Sequence, residues 1–138
     1  MTSIKSALER RLAGIKKDDG FSLIELLVVV IIIGILAAIA IPIYIGVQNN
    51  AKDSAVKSDL TNAKLAVVAY YTDKGANAAA PSLTVAGLGN YGFTQSDNTS
   101  AIAFDGTPSS TAFCIEATGV TTNTFHISAD SGAEDGGC

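Results

Sequence analysis

Residues 20–47 read GFSLIELLVVVIIIGILAAIAIPIYIGV, and this stretch decides the fold. The 22 residues of Leu26–Val47 carry no charge, and only Gly34, Pro42 and Gly46 among them are not hydrophobic. A run of about 20 apolar residues is long enough to cross the hydrocarbon core of a bilayer as a helix. The stretch therefore predicts a membrane-spanning helix.

The residues before this stretch form a short basic leader. Residues 1–20 hold five of the nine lysines and arginines, namely Lys5, Arg10, Arg11, Lys16 and Lys17. Because positive charge beside a membrane span stays on the cytoplasmic side, we expect the residues after the span to face outward. From Phe21 onward ten acids stand against four bases, a side-chain balance of −6. That balance opposes direct contact with nucleic acid.

Helical periodicity continues beyond the apolar run. Apolar residues recur every three or four positions on one stripe: Ala51, Ala55, Val56, Leu60, Ala63, Val67 and Tyr70 or Tyr71. Charged residues fall mostly off the stripe: Lys52, Asp53, Lys57, Asp59 and Lys64. Gly75 after Lys74 is a typical helix stop. We predict one helix from about Phe21 to Lys74, roughly 80 Å long, with an apolar half over 21–47 and an amphipathic second half.

Two residues inside this helix weaken it. Pro42 removes one backbone hydrogen bond and clashes with the preceding turn, so we expect a bend near Pro42. Gly34 has low helix propensity and is a second weak point.

The remaining residues predict a small sheet. A Gly-, Ala-, Asn- and Ser-rich connection runs from Gly75 to Ser100. Apolar residues then alternate with other residues in three segments, which contain Ile102 and Phe104; Phe113, Ile115 and Ala117; and Phe125, Ile127 and Ala129. Turn residues separate the segments, which indicates an antiparallel meander with its apolar face on the helix stripe. The predicted fold class is α+β, with about three strands and a globular head within residues 48–138.

The two cysteines, Cys114 and Cys138, both lie in the outward part. An even number of cysteines in an exported domain indicates one disulfide, and two unpaired thiols are the alternative. The tail from Asp130 is rich in glycine and acids and would not fold alone. A bridge would pin this tail across the sheet, and closing the ring is worth roughly 3–4 kcal/mol in the chain-entropy treatment.

Three features coincide at the start of the apolar run. The basic segment ends in Gly20, the apolar Phe21 follows directly, and Glu25 is a single acid at the edge of an uncharged span. A lone ionisable residue in a membrane segment costs a few kcal/mol to insert, so Glu25 is a candidate functional residue.

This junction resembles the N-terminal region of the type IV pilin and pseudopilin family. The match extends from Gly20 to about Val47 and includes the run GILAAIAIP at residues 34–42. The terminal Cys138 is similar to the disulfide-closed end of many pilins. The resemblance implies that a prepilin peptidase removes residues 1–20 by cutting after Gly20, and that it methylates the new amino terminus at Phe21.

The resemblance also assigns Glu25 to the family glutamate that acts in assembly. Cleavage creates an amine at Phe21, and a carboxylate in a low-dielectric helix bundle is costly unless such a charge pairs with it. Pairing between neighbouring subunits would set the axial register. A pair within one chain is the alternative, because residues four apart share a helix face. The resemblance favours the intersubunit pair.

These observations predict a structural subunit of the major-pilin kind in a type IV pilus. By the resemblance, an assembly platform and ATPase polymerise it from the bacterial inner membrane, where lipid surrounds it, into an extracellular or envelope filament of identical and related subunits. The alternatives are a type II secretion pseudopilin and a DNA-uptake pilin. A secreted domain cleaved after Ala40, within a small-x-small pattern, and a plain single-pass anchor are remoter alternatives.

The sequence predicts no enzymatic activity, cofactor or metal site. We interpret His126, the only histidine, as a solvent-side strand residue. Asp130, Glu134 and Asp135 offer the oxygen ligands that calcium prefers, but their spacing fits no loop motif, and a solvated acidic turn is the favoured interpretation. Asn98 begins a glycosylation sequon, for which we do not expect occupancy.

Overall fold

The computed structural model describes residues 20–138, so the predicted leader lies outside the described residues except for Gly20. The chain forms two compact units that divide between Pro42 and Ile43. The elements are helix α1 (Leu23–Lys74), helix α2 (Val85–Leu88), a 3-10 turn (Gly89–Tyr91), and strands β1 (Thr99–Asp105), β2 (Cys114–Gly119), β3 (Thr124–Ser128) and β4 (Glu134–Asp135).

Helix α1 is 52 residues long. It ends at Lys74, as predicted, because Gly75 adopts a φ of 94° and its N–H donates to the Tyr71 carbonyl at 3.0 Å. The helix begins at Leu23, slightly later than the predicted start at Phe21. Pro42 lies inside the helix, which the structure assigns without a break, and the bend near Pro42 stays a prediction.

The apolar side chains of α1 in the first unit are exposed. Every large apolar side chain from Leu23 to Ile41 is at least 46% exposed. By length and composition, α1 is able to cross a membrane, a property it shares with signal sequences. Exposing so large an apolar surface to water is unfavourable, so this surface requires an apolar environment.

The sheet has four antiparallel strands in the order β1-β2-β3-β4. The meander is as predicted, but the number of strands is four rather than about three. The additional strand, β4, is only two residues long and acidic. It therefore carries no apolar alternation from which a strand is recognised.

The core of the second unit lies between the outer half of α1 (residues 48–74) and the inner face of the sheet. The helix contributes Val56, Leu60, Ala63, Ala66, Val67 and Tyr71, and the sheet contributes Ile115, Ala117, Phe125 and Ile127. The segment between α1 and β1 adds Leu88 and Phe93, both almost fully buried. The predicted stripe is therefore the packing face, except that Ala51 is exposed and Ala55 is only half-buried.

Asp59 departs from the sequence expectation. It was assigned to the charges off the stripe, but it is only 5% exposed. One carboxylate oxygen, Oδ2, accepts hydrogen bonds from Ser96 N–H at 2.9 Å, Ser96 Oγ at 2.7 Å and Thr99 Oγ1 at 2.6 Å. These bonds compensate the carboxylate for lost water and attach the start of β1 to the helix.

Three further charged residues of the outer half, Asp53, Lys57 and Lys64, also bond to the head. The Asp53 carboxylate accepts from the Thr121 hydroxyl and from the Asn123 amide. The strand residue Asp135 pairs with Lys57 at 2.8 Å. The Lys64 ammonium donates to the Ser131 carbonyl at 2.8 Å. Only the fold brings their partners near α1: Thr121, Asn123, Ser131 and Asp135.

Candidate functional site

The junction before α1 is closed by a reciprocal pair of hydrogen bonds. The N–H of Ser22 donates to Glu25 Oε2 at 2.8 Å, and the N–H of Glu25 donates to Ser22 Oγ at 3.2 Å. The N–H of Leu26 donates to the Ser22 carbonyl at 3.2 Å. This arrangement is a capping box, which satisfies amides that the first turn leaves without helical partners. The sequence signal, Ser-x-x-Glu at residues 22–25, was overlooked in the sequence analysis.

The capping box fixes where the helix begins. Gly20 and Phe21 precede it, neither is helical, and Phe21 is 83% exposed. The peptide bond between Gly20 and Phe21 is therefore not engaged in the helical ladder. Both residues that it joins are exposed.

Glu25 and Phe21 lie on one side of the helix start. Together with Ile24, Val28 and Val29 they line a shallow, mainly apolar depression. The ion pairs found within residues 20–138 join Lys57 to Asp135 and Lys74 to Asp73, so Glu25 has no basic partner in that range. An acid in the first turn also complements the positive end of the helix dipole.

The similarity of this chain to known proteins includes the same junction. Residues 15–41 match the family model of the prokaryotic N-terminal methylation motif. The chain is 47% identical over 58 residues to the type IV major pilin protein PilA of Myxococcus xanthus, and the match covers 42% of this chain and 26% of that protein. It is 45% identical over 65 residues to the fimbrial protein EcpC of Eikenella corrodens, and the match covers 42% of this chain and 38% of that protein.

A third relative comes from a secretion system. The chain is 39% identical over 58 residues to the type II secretion system core protein G of Pseudomonas aeruginosa, covering 42% of this chain and 41% of that protein. Its N-terminal region is therefore similar to that of the type IV pilin and pseudopilin family. The matches span less than half the length of these relatives. No solved structure matches the chain with significance.

The C-terminal region of the chain is closed by a disulfide. Cys114 and Cys138 are bonded, with their Cα atoms 6.2 Å apart, as predicted. The N–H of Cys138 donates to Glu116 Oε2 at 3.3 Å. A Cβ on Gly137 would lie 2.5 Å from the same oxygen, so a larger residue there would require the Glu116 side chain to move.

The acidic residues of the C-terminal tail do not converge on a common point. Asp135 pairs with Lys57, whereas Glu134 lies opposite His126 in the β3–β4 register. Within residues 20–138, no group of three or more His, Cys, Asp or Glu side chains is arranged to hold a metal ion. His126 is half-buried, and its Nδ1 lies 3.1 Å from the Gly136 carbonyl, so Nδ1 carries the proton of that hydrogen bond.

A polar cleft of about 520 Å³ opens between α1 and β3–β4 of the head. Its charged lining residues are already paired, since Asp53 bonds to Asn123 and Lys57 to Asp135. The cleft therefore offers no unpaired charge that would orient a substrate.

Gly34 lies in the helix with open space where a Cβ would stand. No close neighbour requires glycine at this position. A role for Gly34 and Pro42 in bending the helix stays a prediction.

Proposed function

We propose that this chain is a structural subunit of a type IV pilus, and that it is matured by cleavage after Gly20 and methylation of the Phe21 amine. The observation that carries the proposal is the junction itself. The methylation-motif match spans it, and the scissile bond lies immediately before a capped helix. The likeness to two type IV major pilins and two fimbrial proteins supports the pilus assignment.

The exposed apolar helix is covered in two successive environments. Lipid of the bacterial inner membrane covers Leu26–Val47 in the precursor, with the basic leader on the cytoplasmic side. The apolar helices of identical or related subunits replace the lipid in the filament. The partners in this route are a prepilin peptidase, an assembly platform and its ATPase.

Glu25 pairs with the Phe21 amine of a neighbouring subunit during assembly. The capping box uses Oε2 of the carboxylate, and a carboxylate accepts several hydrogen bonds. The helix cap and the intersubunit pair are therefore compatible. In a low-dielectric filament core, the pair offsets part of the cost of burying each charge.

The role of the subunit is structural rather than catalytic, without a cofactor or metal. Its named relatives are pilins, fimbrial proteins and a secretion core protein. The paired charges of the polar cleft favour the same assignment.

The test is the chemical state of the chain in sheared surface filaments. Mass analysis is expected to find an amino terminus at Phe21 that carries one methyl group. A terminus at Ile41 would instead identify a secreted domain. An intact leader in a chain confined to membranes would identify a plain anchor.

A pseudopilin of a type II secretion system is the second candidate. The likeness to the secretion core protein G supports it. The two assignments differ in where the subunit accumulates. A chain that is cleaved and methylated but absent from sheared surface filaments would favour the pseudopilin.

A further inference from the structure

Among residues 20–138 the sheet has two edge strands, β1 and β4, which differ in length and charge. Strand β4 is two residues long and wholly acidic. Strand β1 has seven residues, Thr99–Asp105, and the register shift in its ladder lies at its start, between Thr99 and Ala101. Residues 101–104 therefore form a regular, uncharged edge. Natural sheets block their edges by short strands or by charge, and this part of β1 has neither.

The ladder pattern shows which backbone groups of β1 point away from the sheet. The N–H of Gly119 donates to the Asn123 carbonyl at 2.9 Å across the β2–β3 turn. Because bonding directions alternate along an antiparallel strand, the odd-numbered residues of β2 bond to β3 and the even-numbered ones to β1. The even-numbered residues of β2 lie opposite residues 101, 103 and 105 of β1. Ile102 and Phe104 therefore direct their N–H and C=O groups outward.

The outward backbone groups of Ile102 and Phe104 have no hydrogen-bond partner in the described part of the chain. The Gln95 side chain reaches the backbone of β1 only at its start, where Nε2 donates to the Thr99 carbonyl at 2.9 Å. The side chains of Ile102 and Phe104 pack against the core, whereas the small side chain of Ala103 between them is exposed. Such free N–H and C=O groups are able to pair with a further strand.

Acidic residues lie at both ends of this neutral edge. Asp97 precedes β1 and Asp105 ends it, and both are exposed. Antiparallel pairing of two β1 strands would place the acidic end of each copy near the acidic start of the other. The other edge strand, β4, is itself acidic. Because like charges destabilise strand pairing, the charges disfavour a second copy of this chain as the occupant and favour a basic partner.

We propose that the β1 edge over residues 101–105 binds an extended segment of a different protein, which adds a fifth strand to the sheet. The partner segment has β-branched or small residues at its centre and a lysine or arginine at each end. Its backbone bonds to the outward groups of Ile102 and Phe104, and its basic ends face Asp97 and Asp105. The backbone bonds supply affinity, and the terminal charges supply orientation and specificity. The site lies wholly within the head, so the inference is independent of the proposed function.

Amide exchange in the full-length protein in detergent reports on this edge directly. The chain has five phenylalanines, so isotopic labelling of phenylalanine nitrogen gives few amide signals. The Phe104 N–H points outward, whereas Phe125 is paired with Ala117 in the β2–β3 ladder and is the internal control. With the peptide KTVTVTK we expect exchange at Phe104 to slow by about tenfold or more, with no change at Phe125. The charge-reversed peptide ETVTVTE should leave exchange at Phe104 unchanged.

Two substitutions of Ile102 separate the backbone contact from the packing of the side chain. Ile102→Pro removes the outward N–H and keeps an extended backbone, a change that edge strands tolerate. Ile102→Ala loses the same side-chain packing but keeps the N–H. We expect Ile102→Ala to bind KTVTVTK as the wild type does, and Ile102→Pro to bind it about tenfold more weakly, because one backbone hydrogen bond is lost.

The variant Asp105→Lys tests the charge contribution while leaving the backbone of the edge unchanged. We expect it to weaken the binding of KTVTVTK and to allow ETVTVTE to bind. The control is Asp130→Lys, since Asp130 is an exposed acid in the β3–β4 connection, and this variant should bind as the wild type does. This test stands even where Ile102→Pro disrupts the fold.

Unchanged exchange at Phe104 with both peptides would overturn the inference. Equal binding of the two peptides, or equal binding of KTVTVTK by Ile102→Pro and Ile102→Ala, would also overturn it. Slow exchange at Phe104 in filaments of this chain alone would show that a second copy covers the edge, and would contradict a different protein as the occupant. None of these results bears on cleavage, methylation or filament assembly, so the proposed function is tested separately.

Discussion

Glu25 has two carboxylate oxygens, and the capping box engages only one of them. Oε2 accepts the Ser22 N–H at 2.8 Å. A glutamine at this position would retain an acceptor for the cap but would carry no charge. The two proposed roles of Glu25, helix cap and charge partner, are therefore separable by substitution.

We expect Glu25→Ala to be exported and cleaved normally but to form no filaments, because the Phe21 amine loses its partner. Glu25→Gln should fail in the same way, since the cap alone does not neutralise an amine. Filament yield and N-terminal mass are the measurements. Normal filaments from Glu25→Ala would refute the pairing, and normal filaments from Glu25→Gln alone would reduce the role of Glu25 to the helix cap.

Asp59 is the second residue whose removal has a specific cost. Its Oδ2 receives three hydrogen bonds, from Ser96 and Thr99, and Thr99 is 5% exposed. Asp59→Ala leaves these donors without a partner, so the free energy of unfolding should fall by about 2–4 kcal/mol. Chemical denaturation of the full chain in detergent measures the change. The control is Asp97→Ala, since Asp97 is an exposed aspartate close to the same turn. This variant should change the free energy of unfolding by less than about 0.5 kcal/mol. Equal losses of stability in both variants would contradict this account.

At the scale of elements, the C-terminal tail is attached by separate interactions at several points. Strand β4 pairs with β3 over two residues. Lys64 holds the Ser131 carbonyl, and the Lys57 ammonium contacts Asp135 and lies 5.0 Å from the centre of the Phe125 ring. The disulfide from Cys138 closes the tail onto β2. None of the noncovalent contacts is extensive, so the covalent bond is the main constraint.

Replacing both Cys114 and Cys138 by serine should lower the free energy of unfolding by about 3–4 kcal/mol, because the unfolded chain regains the entropy of an open loop. Amide exchange at β4 should become fast, whereas the β1–β2 ladder should stay protected. Hydrogen exchange of the reduced and oxidised forms gives the measurement. Equal protection of β4 in both forms would mean that Lys57 and Lys64 suffice to hold the tail.

The C-terminal end of α1 contains a surface cluster with a pH dependence. The Tyr91 hydroxyl donates to Asp73 at 2.8 Å, and Lys74 lies 3.2 Å from the same carboxylate. These two contacts, that of Tyr91 first, hold the pKa of Asp73 below its ordinary value. In the unfolded chain an aspartate has a pKa of about 3.9. Because the pKa is lower in the folded state, the carboxylate stabilises the fold at pH values above about 3.9. That stability is lost as the pH falls through the folded-state value.

We therefore expect Tyr91→Phe to raise the pKa of Asp73 toward the unfolded-chain value. Acidification below pH of about 4 should destabilise this variant less than the wild type, because the variant has less carboxylate stabilisation to lose. Titration of the Asp73 carboxyl carbon by NMR is the direct measurement. Tyr44→Phe, in an exposed tyrosine far along α1, is the control, and an unchanged pKa of Asp73 in Tyr91→Phe would contradict the assignment.

At the scale of the molecule, the charged residues of α1 are distributed unevenly along the helix and around it. The apolar half is exposed on all sides, and four charged residues of the outer half, Asp53, Lys57, Asp59 and Lys64, bond to the head. The exposed acids of the head include Asp97, Asp105 and Asp130. A filament built from this subunit would thus have an apolar interior and an acidic surface.

We expect filaments of this chain not to retain double-stranded DNA at physiological salt. Ten acids against four bases after Phe21 repel the phosphate backbone. Co-sedimentation of sheared filaments with DNA over a series of salt concentrations is the measurement. Retention that weakens steeply with salt would contradict this expectation and would favour the DNA-uptake pilin.

The sequence by itself determined the helix, its stop at Gly75, the alternating strands and the disulfide. Each of these follows from local periodicity, from backbone preferences or from the number of cysteines. The Ser22–Glu25 capping box was equally local and could have been predicted. The tertiary structure alone decided that Asp59 is buried, that β4 exists and that the helix charges face the head. Those features depend on partners far along the chain, such as Thr99 for Asp59 and Ser131 for Lys64. No local pattern specifies such partners, because a polar side chain is buried only where the fold supplies its hydrogen bonds.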